Sequence, residues 1–204
     1  MRDRIEESIE SLRLRAEQGN ADAQYELGFT YWGGEGVPED QEKALWLYRL
    51  AADQGHPDAQ YELGLMYSNG DGVPYDDEEA ARCVRLAADQ GLARAQYDLG
   101  FRYSNGLGVP EDEEEAARWY LAAAKQGDVQ AKLKLGFMYY DGEGVPQDYI
   151  QAHMWYNLAA SATEGEDQER AVEYRENLTK QMTTEDLAEA QRLAREWKPK
   201  DSVT

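Results

Sequence analysis

Cysteine is almost absent from this chain: Cys83 stands alone among 204 residues. No intramolecular disulfide can form, and no cysteine spacing suggests a zinc site. Histidine is nearly as scarce, and His56 and His153 lie too far apart in sequence to suggest a catalytic pair. Positive charge is in deficit, with 21 Lys and Arg against 41 Asp and Glu and a formal net charge of −20. Such a field repels nucleic acid and anionic lipid and favours basic partners or plain solubility. Long apolar runs are missing. Ala44–Tyr48 is among the longest, far short of a membrane span. The first residues, Met1-Arg-Asp-Arg-Ile-Glu-Glu, lack the apolar stretch of a secretory signal. These absences lead us to expect a cytoplasmic, cofactor-free and metal-free protein.

What the chain has in abundance is itself. Gln24-Tyr25-Glu26-Leu27-Gly28 returns as Gln60–Gly64 and Gln96–Gly100, and in altered form as Gln130–Gly136. Each copy leads into Gly-x-Gly-Val-Pro, at Gly34–Pro38, Gly70–Pro74, Gly106–Pro110 and Gly142–Pro146. A 36-residue block is too small to bury its own apolar face, so tandem copies must lean on one another.

Within one block the residues dictate two helices. Asn20 reads as an N-cap. Ala23, Leu27, Gly28 and Tyr31 then share one helical face, predicting a helix from about Ala21 to Gly33. Gly28 recurs as Gly64, Gly100 and Gly136. Its penalty of ~1 kcal/mol inside a helix implies the close approach of another backbone. The Gly-x-Gly-Val-Pro turn follows. Asp40, Asp76, Asp112 and Asp148 then read as N-caps of a second helix, with Glu79, Glu115 and Gln151 placed to complete capping boxes. Lys43 breaks that pattern in the first copy. Ala44, Leu47, Tyr48 and Ala51 form the second apolar stripe, and Gly55, like Gly19, Gly91 and Gly127, ends it.

The expected organisation is an N-terminal half-repeat over 1–18, repeats over 19–54, 55–90, 91–126 and 127–162, and capping helices with a tail over 163–204. The period fades after Ala160. One helix is expected over Asp167–Gln181, and another follows Thr183, with Leu187, Ala190, Ala194 and Trp197 on one face. Residues 199–204 are expected to fray.

The combination Ala-x-x-x-Leu-Gly-x-x-Tyr, Gly-x-Gly-Val-Pro-x-Asp, then an aromatic pair and Ala-Ala resembles the Sel-one-like repeat (SLR) family. The family is a cousin of the tetratricopeptide repeat with a longer turn inside each unit, and this chain resembles its bacterial-type members. Trp119-Tyr120 and Trp155-Tyr156 match the family's aromatic pair, while Leu47-Tyr48 and Cys83-Val84 depart from it. The resemblance implies an all-α, right-handed α/α superhelical solenoid of 36-residue helix–turn–helix repeats with helical caps. It also implies a non-enzymatic scaffold or adaptor. Family members serve in membrane-protein degradation, bacterial signalling, host interaction and toxin neutralisation.

That architecture would place the first helix of each repeat on the concave side. Opposite the core stripe lie Asp22, Tyr25, Glu26 and Phe29, with Trp32 at the border. The next copies present Asp58, Tyr61, Glu62 and Leu65, then Tyr97 and Phe101, and finally Phe137. A row of aromatics flanked by carboxylates would suit a peptide or protein with apolar anchors and basic flanks. Packing of the same aromatics between neighbouring helices is the competing expectation. Residues 19–90 hold 15 acids and 4 bases, which admits an alternative role as an acidic immunity or inhibitor protein against a cationic toxin or enzyme. Catalysis finds little footing, and a hydrolase is only a remote third class. His56 reads as a turn or cap residue, His153 as a helix-surface residue and Cys83 as a buried apolar group. The acid clusters Asp76–Glu79 and Glu111–Glu115 sit at helix starts, where negative charge is favourable.

Overall fold

Alternating cap and turn signals are realised as helices within a residue or two of the predicted places. The computed structural model describes residues 2–198, with side chains from Ile9 onward. The expected frayed tail, 199–204, lies outside the described residues. Among these there are eleven α-helices and no strand, so the expected all-α repeat solenoid is observed. The chain divides into two units, Met1–Ala95 and Gln96–Thr204. The first holds α1 (Arg2–Glu17), α2 (Ala21–Gly33), α3 (Gln41–Asp53), α4 (Pro57–Asn69) and α5 (Asp77–Asp89). The division falls inside α6 (Ala93–Asn105). The second unit continues with α7 (Glu113–Lys125), α8 (Val129–Asp141), α9 (Tyr149–Ala160), α10 (Glu166–Thr179) and α11 (Thr184–Glu196).

Capping follows the sequence closely. Asn20 accepts from the Ala23 amide, and Asp40, Asp76, Asp112 and Asp148 cap the second helices. His56 caps α4, its Nδ1 accepting from the Ala59 amide at 3.2 Å. The reciprocal half of the expected capping boxes at Glu79 and Glu115 is replaced by ion pairs to Arg82 and Arg118. A complete box forms instead at Thr183 and Asp186. Each long turn is closed by its own cap residue: the amides of Asp40, Asp76, Asp112 and Asp148 donate to the carbonyls of Tyr31, Tyr67, Tyr103 and Tyr139 at 2.8–3.0 Å. Gly34 takes φ 66° in that turn, a left-handed conformation that favours glycine.

The core of each repeat is a second-helix side chain laid on a glycine, a tyrosine ring in three repeats and Val84 in the second. A methyl added at Gly28 would stand 2.9 Å from the Tyr48 ring, and at Gly136 it would stand 2.5 Å from the Tyr156 ring. Val84 and Tyr120 occupy the same place over Gly64 and Gly100. The approach expected from backbone is therefore made chiefly by a side chain of the second helix. Tyr48, Val84, Tyr120 and Tyr156 are all buried. So is Cys83, whose thiol burial pushes up to about 11, leaving it a small apolar group at neutral pH.

A second repeated device links one module to the next. The Gln24 amide donates to the Ala16 carbonyl at 3.1 Å and accepts from the Gln54 amide at 2.7 Å. Gln60 does the same with Ala52 and Gln90, and Gln126 donates to Gln96. At the next position Lys132 can only donate, and it does so to the Gly127 carbonyl at 3.1 Å. Ala162 stands where a further glutamine would have needed an acceptor. The pattern resumes with Gln168, whose amide donates to the Ala160 carbonyl at 3.2 Å. The period expected to fade after Ala160 thus persists into α10, 36 residues on from Lys132. The last helix, α11, turns back onto α9, with Trp197 edge-on to Trp155 at 4.7 Å.

His153 corrects another expectation. It is buried in α9 rather than on the helix surface, and its Nδ1 has no hydrogen-bond partner. Burial lowers its pKa below the ordinary 6.5, and Arg175 acts in the same direction. The unfolded chain therefore binds this proton more readily than the folded one. The contribution of this residue to stability is complete above about pH 6.5 and is lost as the pH falls from there through the folded pKa. We expect His153→Leu to flatten that part of the stability–pH curve measured by urea unfolding. An unchanged slope between wild type and variant would exclude this origin.

Candidate partner-binding surface

The face of the first helices that turns away from the core separates into two kinds of position. The tyrosine row is part of the packing. Tyr25 is half-buried, stacked on His56 with centroids 4.7 Å apart and 5.9 Å from the Tyr48 ring. Tyr61 is half-buried beneath the Arg94 guanidinium, 5.0 Å from its centroid. In the second unit Tyr97 leans on Tyr120 at 5.6 Å. Trp32 is half-buried against the cluster formed by Ala44, Leu45 and Tyr48.

The phenylalanine row stands one helical turn further on, and it is open. Phe29 is 50% exposed, Phe101 38% and Phe137 47%. Leu65 holds the same phase and is half-buried. Large apolar side chains left to water at one recurring position contribute little to the core. Phe29, Leu65, Asp22, Glu26, Asp58 and Glu62 belong to the first unit, while Phe101 and Phe137 belong to the second. The two groups belong to separate units.

The carboxylates are also unequal. Asp58 accepts from Arg94 at 2.5 Å, and Glu62 lies 3.7 Å from the same guanidinium. Burial pushes the Glu62 carboxyl up, and Arg94 pulls it down. In the first repeat Asp22 and Glu26 are exposed. Asp22 faces His56 Nε2 at 3.4 Å, and Glu26 meets Arg15 at 3.5 Å across solvent. Sequence reading missed Arg94 as the group that engages the acids of repeat two. The available signal was its offset of 36 residues from Asp58, which places it at the same position one module on.

Among the described residues, no group of three or more His, Cys, Asp or Glu could hold a metal ion. No described helix is long and apolar enough to cross a membrane. What the surface offers is apolar area on rigid helices with acids beside it, which suits macromolecular recognition.

The Sel1 repeat family model matches residues 21–56, 57–92, 93–128 and 129–163. An SLR-fold protective antigen present in uropathogenic Escherichia coli strains is 41% identical, with TM-score 0.74 over 76% of this chain and 33% of that one. A Sel1 repeat protein from Oxalobacter formigenes is 38% identical, with TM-score 0.75 over 82% of this chain and 49% of that one. The chain therefore spans between a third and a half of the length of these two relatives. An immunity protein from Pseudomonas aeruginosa shares the fold at 22% identity and TM-score 0.51, over 92% of this chain and 74% of that one. No curated protein matches significantly.

Proposed function

The chain belongs to the Sel1 repeat family, whose members generally mediate protein–protein interaction, and from that membership we propose a non-enzymatic scaffold that binds a protein or peptide through its first-helix face. The observation that carries this reading is the recurrence of exposed phenylalanine at one phase of the repeat, in Phe29, Phe101 and Phe137. Each would supply an apolar anchor at a small cost in side-chain entropy. Leu65, Asp22, Glu26, Asp58 and Glu62 would complete the first unit's surface. Tyr25, Tyr61, Tyr97 and Trp32 would shape it from beneath.

The two kinds of position respond differently to truncation. Replacing Phe29, Phe101 and Phe137 together by alanine should leave the melting temperature within a few degrees and weaken partner binding by tenfold or more, as expected of hot-spot anchors. Tyr25→Ala should instead lower the melting temperature. Affinity capture from the native host, followed by mass spectrometry and titration of the recovered partner, makes the comparison. Undiminished binding by the triple variant would remove the proposal.

A narrower reading is an immunity or inhibitor protein for a cationic toxin or enzyme. The net charge of −20 favours it, and the Pseudomonas immunity protein with the same fold gives it a precedent. Its signature would be an association rate that falls steeply between low and physiological salt. A rate insensitive to salt would leave only the general scaffold.

A further inference from the structure

The first unit displays an arginine already seated on its own first-helix face. Arg94, at the start of α6, reaches back to α4. It donates to Asp58 at 2.5 Å, lies 3.7 Å from Glu62 and covers the Tyr61 ring at 5.0 Å. A further hydrogen bond joins it to the Tyr25 side chain. One planar guanidinium thus meets two carboxylates spaced i, i+4 and two tyrosines. That combination uses the fork of donors and the flat face that distinguish arginine from lysine.

The same acceptor set stands one module earlier. Asp22, Tyr25 and Glu26 are the equivalents, 36 residues back, of Asp58, Tyr61 and Glu62. The later copies lose it, with Arg94, Tyr97 and Asp98 in the third repeat and Gln130, Leu133 and Lys134 in the fourth. What differs in the first module is the donor. The place from which Arg94 reaches Asp58 and Glu62 is held, one module earlier, by Asp58 itself. A third acid stands where the arginine would have come from.

The present neighbours of Asp22 and Glu26 do not replace that arginine. Their side chains are 77% and 56% exposed, against 33% and 25% for Asp58 and Glu62. His56 approaches Asp22 at 3.4 Å, but its Nδ1 accepts from the Ala59 amide. In that capping state the ring holds one proton, on Nε2, and no net charge. Arg15 meets Glu26 at 3.5 Å with half of its own side chain in solvent, a pairing that contributes little. Among the described residues, no guanidinium or ammonium contacts both acids as Arg94 contacts theirs. The 15 acids and 4 bases of residues 19–90 make a cation the favoured charge here.

An apolar anchor adjoins the pair. Phe29 is 50% exposed and lies one turn on from Tyr25 and Glu26. Side chains one turn apart are separated by about 6 Å, and an extended chain advances about 3.3 Å per residue. A bound segment therefore spans the acids and Phe29 with side chains two positions apart.

We propose that Asp22 and Glu26 form a receptor for an arginine of a protein partner, in a segment whose bulky apolar residue, two positions from the arginine, meets Phe29. This rests on the partner-binding role of the first-helix face and gives one contact of that face its chemistry.

Fluorescence anisotropy with the full chain tests it. The probes are labelled peptides carrying Arg and Phe two positions apart, in both orders, and the same peptides with citrulline or lysine in place of arginine. In one order the arginine peptide should bind about tenfold more tightly than its citrulline counterpart and severalfold more tightly than its lysine counterpart. With Asp22→Asn/Glu26→Gln the arginine and citrulline peptides should bind alike. Circular dichroism melting checks that this variant folds, and Glu26→Gln alone, expected to remove part of the preference, is the milder second variant. Phe29→Ala should weaken all the peptides by a similar factor and keep the arginine preference. Absence of binding, equal binding of the arginine peptide and either counterpart to the wild type, or a preference that survives the double variant would overturn the inference. A host partner lost on truncating Phe29, Phe101 and Phe137 but indifferent to Asp22→Asn/Glu26→Gln would overturn it too, while the scaffold reading stands.

Discussion

Tyr156→Ala should destabilise the protein by about 3–5 kcal/mol, the cost of removing a large buried aromatic from a packed core. Tyr156 is buried, rests on Gly136 and also contacts the Tyr174 ring at 5.4 Å. The glycine gives the experiment a second arm. Gly136→Ala on its own gains roughly 1 kcal/mol of helix propensity. It also places a methyl 2.5 Å from the Tyr156 ring. Overpacking of this kind typically costs about 1–3 kcal/mol, so the net effect should be a loss. In the Tyr156→Ala background the ring is gone, and the same Gly136→Ala change should become stabilising. Urea unfolding of the four proteins in this cycle measures the coupling. A Gly136→Ala effect with the same sign in both backgrounds would show that the ring is not what the glycine makes room for.

Gln60→Glu should cost about 3 kcal/mol at neutral pH, more than Gln60→Leu at about 1–2 kcal/mol, because losing a buried partner is penalised further when a charge takes its place. Gln60 is buried and bridges two modules of the first unit, donating to the Ala52 carbonyl at 3.3 Å and accepting from Gln90 at 2.7 Å. A carboxylate can still accept from Gln90. It cannot donate to Ala52, and its oxygen faces that carbonyl in a buried place. Its folded-state pKa should lie above the unfolded one, so the loss should shrink as the pH falls and the carboxyl takes up a proton. Thermal melts at neutral and mildly acidic pH compare the variants. If Gln60→Glu and Gln60→Leu lose the same stability at every pH, the amide bridge contributes no directional bond.

Much of the fold was legible because its determinants are local and repeated. N-caps at Asn20 and at Asp40 with its three equivalents, and left-handed glycines such as Gly34 and Gly55, depend on neighbours within a few residues. The amide bridges were not recognised, although the spacing of Gln24, Gln54 and Gln60 repeats faithfully. A polar residue on a helix reads as solvated until the next module is seen to cover it. His153 was misplaced for the same reason, since α9 is covered by α10 and α11 in addition to its repeat partner.

The candidate surface shows where reading by helical phase stops. Tyr25 and Phe29 lie on the same side of α2 by angle, yet Tyr25 packs against Tyr48 and His56 while Phe29 meets water. The difference comes from the neighbouring helices, which reach over one turn of α2 and not the next. The acidic flank is similarly uneven. Arg94 pairs with Asp58 and Glu62 in the second repeat, whereas Asp22 and Glu26 in the first are more exposed and meet His56 and Arg15.

The repeat, the helix boundaries, the caps and the family can all be read from the chain alone, because each rests on short-range spacing reinforced by recurrence. Packing between modules decides which aromatics are buried and which stay exposed, and which acids are ion-paired. Those outcomes depend on contacts between modules, where the burial of a side chain is set by residues about 18 to 36 positions away.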